Sequence, residues 1–319
     1  VVRDASIPAT RGQFVSTVAD NIPLCREHWR LILTLPEFPQ TDPGQFIQIS
    51  CRSADDDFYC DVERTWPPEQ LPLEVPAELE AALALLRRPF SLAGRSNRAH
   101  AVELHIIHRV VGVGTDWLSR LKRGDRVGLL GPLGNRFALP PANATALLVG
   151  GGVGIPPMLY LAERLAGRPA IAFCGALTRD LLPLTITGAA SATAEPKAVL
   201  DEFARHGIAS VVSTDDGSYG FRGFVTQALQ RHLEQADYPV DARPMVYTCG
   251  PEPMMKRVAE IAAGHGLSVQ IAVERAMACG MGTCQSCVIR VRKPDAASGW
   301  VYRLACTDGP VFKGEELLW

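Results

Sequence analysis

Residues 147–157 read Leu-Leu-Val-Gly-Gly-Gly-Val-Gly-Ile-Pro-Pro. An apolar run stops at glycines, and two prolines open the next segment. That order predicts a buried strand, a glycine turn and the start of a helix. Glycines let a pyrophosphate approach the backbone, and a helix N-terminus favours its negative charge. Gly151, Gly152 and Gly154 are therefore candidate nucleotide contacts. The spacing is not GxGxxG, so a tight strand–helix turn with no ligand stands as the alternative reading.

Toward the C-terminus, apolar strands are predicted at 170–174, 209–213 and 245–248. Helices are predicted over 196–206, 223–235 and 253–263. Such alternation reads as an open parallel sheet, whose ligands bind beyond the carboxyl ends of the strands. The fourth strand ends in Cys249-Gly250-Pro251, at the same edge as the glycine loop. A cysteine there packs against a nicotinamide ring; otherwise it is a small buried residue. Asp215 and Asp216 come after the third strand. Facing an adenosine ribose, they would repel a 2′-phosphate and favour NAD over NADP.

Toward the N-terminus the pattern changes to short β-like runs at 46–50, 102–110 and 126–130, punctuated by Gly and Pro. This reads as a small antiparallel barrel. Residues 51–87 look like an insertion: a polar stretch at 53–57, four prolines within 66–76, and a short helix over 77–86. Their sequence implies no chemical role. Arg88-Pro89-Phe90-Ser91 comes next, then Gly112-Val113-Gly114-Thr115 and Gly131-Pro132-Leu133-Gly134-Asn135. Arg pairs with phosphate, and a Ser hydroxyl or N–H can bond a flavin edge. Taken singly, each is also an ordinary turn or surface segment.

Beyond 267 stand Cys279, Cys284, Cys287 and Cys306, spaced C-x4-C-x2-C-x18-C. Gly280 and Gly282 lie between the first two. An iron–sulfur centre needs thiolates converging on one point and backbone N–H groups turned toward the sulfurs, which glycines permit. Three cysteines on one loop with a distant fourth is the plant-type [2Fe–2S] spacing. Structural zinc usually takes two cysteine pairs, and four buried free thiols are the remaining alternative. A metal centre would also stabilise a segment too short to build a large core. Of the other cysteines, Cys51 and Cys60 flank the start of the insertion and could pair or bind a metal, though two ligands are too few to make a site and free thiols are the main reading; Cys25 and Cys174 read as core or surface residues. No spacing singles out a catalytic residue among the seven histidines.

Composition sets the bounds. The 319 residues suggest about two domains by length alone. Hydrophobic residues make up 47% and charged residues 21%, an ordinary globular balance rather than a disordered one. The 32 basic and 34 acidic side chains nearly cancel, which argues against nucleic acid as the main partner. The uncharged run 137–162 is long enough to raise a membrane span, but four prolines and four glycines break it. No basic-then-apolar leader pattern opens the sequence, and a reducing, cytoplasmic setting is expected for the cysteine cluster.

The order of these motifs is more specific than any one of them. RPFS, GVGT, GPLGN, GGGVGIPP and YTCGP, in that order, resemble the ferredoxin–NADP reductase-like superfamily. The tail, ERAMACGMGTCQSC and then ACTDGPVF, is similar to the electron-transfer subunits of class 1B dihydroorotate dehydrogenases. The resemblance covers nearly the whole chain outside 51–87. It implies an antiparallel β-barrel FAD domain at 1–141, an α/β parallel-sheet NAD domain at 142–266 and a small [2Fe–2S] domain at 267–319. It implies electron transfer between NAD(H), FAD and the cluster, without a proton-transfer triad. The partner would be the FMN-containing catalytic subunit that oxidises dihydroorotate to orotate in pyrimidine biosynthesis, in a heterotetramer with two copies of each chain. Arg88, Pro89, Phe90, Ser91, Ile107, His108, Arg109, Gly114 and Thr115 would contact FAD, and the four tail cysteines would hold the cluster. The family often has an aromatic residue where this chain has His108. A reductase subunit serving a ferredoxin or hydrogenase would carry the same glycine loops, and a redox sensor is a third reading. The face around 279–287 is the expected docking surface.

Overall fold

The computed structural model describes residues 11–55, 86–239 and 242–319. Most of the insertion, including Cys60 and nearly all of the helix expected over 77–86, lies outside these residues.

Seven antiparallel strands curl into the first unit. They are β1 (Gly12–Cys25), β2 (His28–Leu35), β3 (Phe46–Ser53), β4 (Arg88–Ser91), β5 (Gly94–Arg98), β6 (Ala101–Arg109) and β7 (Arg126–Leu133). Their spatial order is β4-β3-β7-β1-β2-β6-β5. Alternation decides which way each strand faces. Leu31, Leu33 and Leu35 pair with Ile106, Leu104 and Val102, and all six point into one apolar core. A short helix, α1 (Val113–Ser119), comes after β6. Thr115 Oγ1 ties its start, accepting from the Val111 N–H at 2.9 Å.

The second unit is a mostly parallel sheet. It contains β8 (Ala146–Gly151), β9 (Ala170–Ala176), β10 (Ala209–Thr214), β11 (Phe221–Arg222), β12 (Met245–Cys249) and β13 (Val269–Ala272). Both faces are covered, so its strands are apolar on both sides. Leu147, Val149, Phe173 and Val246 pack on one side with α4 (Val225–Gln235) and α5 (Glu252–Gly264). Leu148, Ala172, Val212 and Tyr247 pack on the other with α2 (Ile155–Arg164) and α3 (Asp201–Ala204). The helix expected over 196–206 is only those four residues, because Lys197 pairs with Ser210 of β10 through two backbone hydrogen bonds of 2.7 and 3.0 Å. The sheet also reaches beyond residue 266. β13 pairs in parallel with β12, and β16 (Val311–Lys313) adds an antiparallel edge to β13.

The tail's own sheet has three strands, β14 (Val288–Arg292), β15 (Trp300–Leu304) and β17 (Leu317–Leu318). Ile289 and Val291 of β14 alternate inward with exposed Val288, Arg290 and Arg292. The three units are stitched together by polar contacts. Asp42 bonds Arg136 at 2.9 Å and Arg164 of α2 at 2.7 Å. Although burial works against its charge, these two guanidiniums hold the Asp42 carboxyl below its ordinary range. Thr41 Oγ1 meets the Tyr160 hydroxyl at 2.8 Å. The GPLGN turn does not line the binding cleft; it clamps the tail. Asn135 Nδ2 donates to the Val311 carbonyl at 2.8 Å, and Asn135 Oδ1 accepts from the Val311 N–H at 2.8 Å.

Candidate functional site

In the parallel sheet, β8 lies between β9 and β12, so the strand order reverses direction there. Gly150 pairs with Cys249 at this point, which sets the glycine loop beside Cys249-Gly250-Pro251. The two approach so closely that a Cβ on Gly154 would stand 2.1 Å from the Cys249 carbonyl oxygen. Gly152 has φ +54° and faces open space, so it offers backbone rather than side chain to whatever fills the cleft. The loop opens onto the N-terminus of α2.

A single cleft of about 1280 Å³ receives all fifteen of the sequence-predicted cofactor residues. The barrel supplies Arg88, Pro89, Phe90 and Ser91 from β4, Ile107, His108 and Arg109 from β6, and Gly114 and Thr115 from α1. The sheet edge supplies Gly151, Gly152, Gly154, Cys249, Gly250 and Pro251. The volume exceeds the roughly 300–1,000 Å³ of ordinary small-ligand pockets, which suits an elongated dinucleotide. Asp215 lines the same cleft, and burial together with neighbouring Asp216 raises its pKa. Asp216 turns away and binds Ser218, whose Oγ donates to it at 2.7 Å.

His108 sits where the resemblance places an aromatic ring. It is 2% exposed and meets Phe90 edge-on at 6.1 Å between ring centroids. Burial, reinforced by nearby His28, pushes its pKa down to about 4, so the ring is neutral at ordinary pH. Neither ring nitrogen has a hydrogen-bond partner among the described residues. Cys249 is buried, and burial pushes its thiol up to about 12, so it enters the cleft as a neutral group. Cys51 is likewise buried, with its thiol pushed up to about 11.

The four tail cysteines neighbour one another: Cys284 lies beside Cys279, and Cys306 feels both Cys287 and Cys279. Among the described residues, no three His, Cys, Asp or Glu side chains are gathered as they would be around a single ion. The loop fits a cluster in its backbone. The N–H groups of Met281 and Cys284 point at Cys279 Sγ from 3.5 and 3.4 Å. Gly280 and Gly282 adopt φ of +71° and +90°, which makes that curl possible. Hydrogen bonds from Ser286 and the Cys279 segment pull the exposed Cys284 thiol down to about 6, favouring the thiolate that a metal requires. Cys287 and Cys306 are each 1% exposed, whereas Cys284 reaches the surface.

Sequence reasoning missed the link between these centres. Ala278 and Ser286, which border Cys279 and Cys287, line the dinucleotide cleft themselves. Ser286 Oγ lies 3.2 Å from both Cys284 Sγ and the Ala278 N–H. The cluster loop is thus one wall of the cleft. Ser286 carried no distinguishing signal in the sequence beyond its place between two of the cysteines.

Comparison with known proteins agrees with this arrangement. Residues 274–318 match the iron-sulfur cluster binding domain of dihydroorotate dehydrogenase B, and residues 148–260 match the oxidoreductase NAD-binding domain. The chain is 39% identical over 241 residues to the dihydroorotate dehydrogenase B (NAD(+)) electron transfer subunit of Geobacillus thermodenitrificans, covering 75% of this chain and 82% of the relative. It is 31% identical to the corresponding subunit of Desulforamulus reducens, covering 87% of both. A solved structure of an NADH-dependent reduced ferredoxin–NADP oxidoreductase superposes with TM-score 0.68 at 25% identity, over 97% of this chain and 91% of that one. The cytochrome P450 reductase GcoB of Amycolatopsis shares the fold, with TM-score 0.54 at 24% identity, over 80% of this chain and 67% of that one. With the glycine edge and the RPFS strand meeting at one cleft and the cysteine loop bordering it through Ala278 and Ser286, this chain belongs to the family of dihydroorotate dehydrogenase B (NAD(+)) electron transfer subunits.

Proposed function

We propose that this chain carries electrons between NADH, FAD and a [2Fe–2S] cluster through the single cleft, and exchanges them with an FMN-bearing catalytic subunit that oxidises dihydroorotate to orotate. The observation that carries this reading is the shared wall: Ala278 and Ser286 belong both to the cluster loop and to the cleft that holds the RPFS strand. Bound FAD would supply the conversion of the electron pair of one hydride from NADH into single electrons for the cluster.

The chain's own part is positioning. Arg88 and the β4 backbone hold the flavin nucleotide, with Phe90 and His108 forming an aromatic wall beside it. Ile107, Arg109, Gly114 and Thr115 complete the barrel side. Gly151, Gly152, Gly154 and the α2 N-terminus hold the NADH pyrophosphate, while Cys249, Gly250 and Pro251 border the nicotinamide. Neutral Cys249 and neutral His108 place no charge there that would oppose hydride movement. Cys279, Cys284, Cys287 and Cys306 ligate the cluster, and exposed Cys284 marks the side from which the partner takes electrons.

The assembly consistent with this family is a heterotetramer with two copies of each subunit, in the reducing cytoplasm that such thiols need. Among the described residues no helix is long and apolar enough to cross a membrane. The likeness to the NADH-dependent ferredoxin–NADP oxidoreductase favours a second reading, in which a ferredoxin takes the electrons.

An anaerobic absorption spectrum before and after NADH tests the internal path. Bleaching of both flavin and cluster bands supports it, and a cluster with no NADH-reducible flavin refutes it. Adding the catalytic subunit with orotate, or a ferredoxin, then separates the two partners. Asp215 sets nucleotide choice in this reading. Asp215→Asn should narrow the preference for NADH over NADPH by about tenfold, the effect of about 1.4 kcal/mol. An unchanged ratio of kcat/KM values would remove Asp215 from the ribose site.

A further inference from the structure

Gln48 lies within β3, paired with Pro89 of the RPFS strand on one side and with Leu130 of β7 on the other. It is 0% exposed. Its Nε2 crosses 230 residues of sequence to donate to the Ala278 carbonyl at 3.3 Å. Its Oε1 finds no donor among the described residues. The amide lies flat against Gly280, where an added Cβ would stand 2.7 Å from Gln48 Oε1 and Cδ. The side chain therefore touches the residues on both sides of Cys279, from a strand whose neighbour lines the cleft.

Folding alone does not favour glutamine at this position. A buried carbonyl oxygen without a donor destabilises the fold, and an apolar side chain of similar volume would fill the space without that cost. Half-satisfied amides are poor core residues. The polar contact is aimed at one target, the carbonyl that precedes the first cluster ligand.

We propose that Gln48 is a positioning residue for electron transfer, fixing the Ala278–Gly280 segment against the flavin-binding barrel and so setting where the cluster stands relative to the cleft. This rests on the reading of the cleft as the flavin site. The step served is the passage of one electron at a time from reduced flavin to oxidised cluster, with NADH as the reductant and no bond to the protein made or broken. Gln48 acts through the loop and touches neither reacting group.

The test uses the holoprotein with Gln48→Leu and Gln48→Met. Stopped-flow absorbance after NADH should show flavin reduction at the wild-type rate and cluster reduction slowed about tenfold, equivalent to about 1.4 kcal/mol of lost positioning. FAD and iron contents should match wild type, and Tm should hold or rise. The EPR spectrum of the dithionite-reduced cluster should shift in g-values or linewidth. Wild-type cluster reduction with a wild-type EPR spectrum in both variants overturns the proposal. So does a fall in Tm of more than about 5 °C in both, which would make Gln48 a stability residue. Should NADH fail to reduce the flavin even in the wild type, the functional reading falls, and the dithionite EPR comparison still decides for or against Gln48.

Discussion

Cys279→Ser should abolish electron delivery to the partner while leaving NADH-driven flavin reduction near the wild-type rate. Cys279 is the thiol toward which the loop turns its backbone, receiving the N–H groups of Met281 and Cys284. Losing it removes one of four ligands and leaves those donors aimed at a hydroxyl that binds iron weakly. Outer-shell partners of metal ligands already cost about 10–100-fold when removed, so loss of a ligand should exceed about 100-fold in partner reduction. The nucleotide sheet does not contribute any of the four tail thiols, so the FAD and NADH steps should persist. Iron analysis, EPR and a two-stage assay read the separation directly. A C279S protein that keeps the wild-type cluster signal and still reduces the catalytic subunit would sink the ligand assignment.

A comparable loss is expected from Gly154→Ala, for a different reason. The added methyl would stand 2.1 Å from the Cys249 carbonyl oxygen, 2.2 Å from its carbon and 2.4 Å from the Gly250 nitrogen. These are backbone atoms at the end of β12 and cannot rotate away. The strand end and the glycine loop must separate, which costs more than about 3 kcal/mol. It also widens the switch point where both segments face the cleft. Flavin reduction by NADH should fall by more than about 100-fold, with a lower Tm. Gly152→Ala is the control. Its Cβ would meet nothing within 4 Å, although φ +54° makes the substitution strained by about 1–2 kcal/mol. That variant should fold with a modest loss of Tm and weaken NADH binding only. Equal behaviour of the two variants would mean that backbone approach at Gly154 is not what the switch point requires.

Much of this molecule is legible along the chain. The C-x4-C-x2-C-x18-C spacing and the glycine run after an apolar strand each fall on the expected element, and the RPFS tetrad falls within the expected barrel unit. Their chemistry depends on neighbours a few residues away, where chain geometry leaves little freedom. The parallel sheet is equally readable, because strands buried on both faces are apolar throughout. The shortened helix within 196–206 has the opposite cause. Helical propensity there gives way to pairing between Lys197 and Ser210, a tertiary contact that no local pattern records.

Which groups are present could be read from the residues alone: the thiols of the tail, the glycines of the nucleotide edge and the arginine and aromatic residue of the barrel strand. The meeting of the glycine edge and the barrel strand in one cleft, with the cysteine loop at its wall, could not. Folding sets the cluster loop as the wall of that cleft through Ala278 and Ser286, and turns GPLGN to the tail rather than to the nucleotide. Folding also carries Gln48, unremarkable within FIQIS, to a carbonyl 230 positions away. Strand register and sheet order bring such distant residues together through backbone pairing and apolar burial. These forces act over the whole chain, whereas motif spacing records only what the chain holds within a few residues.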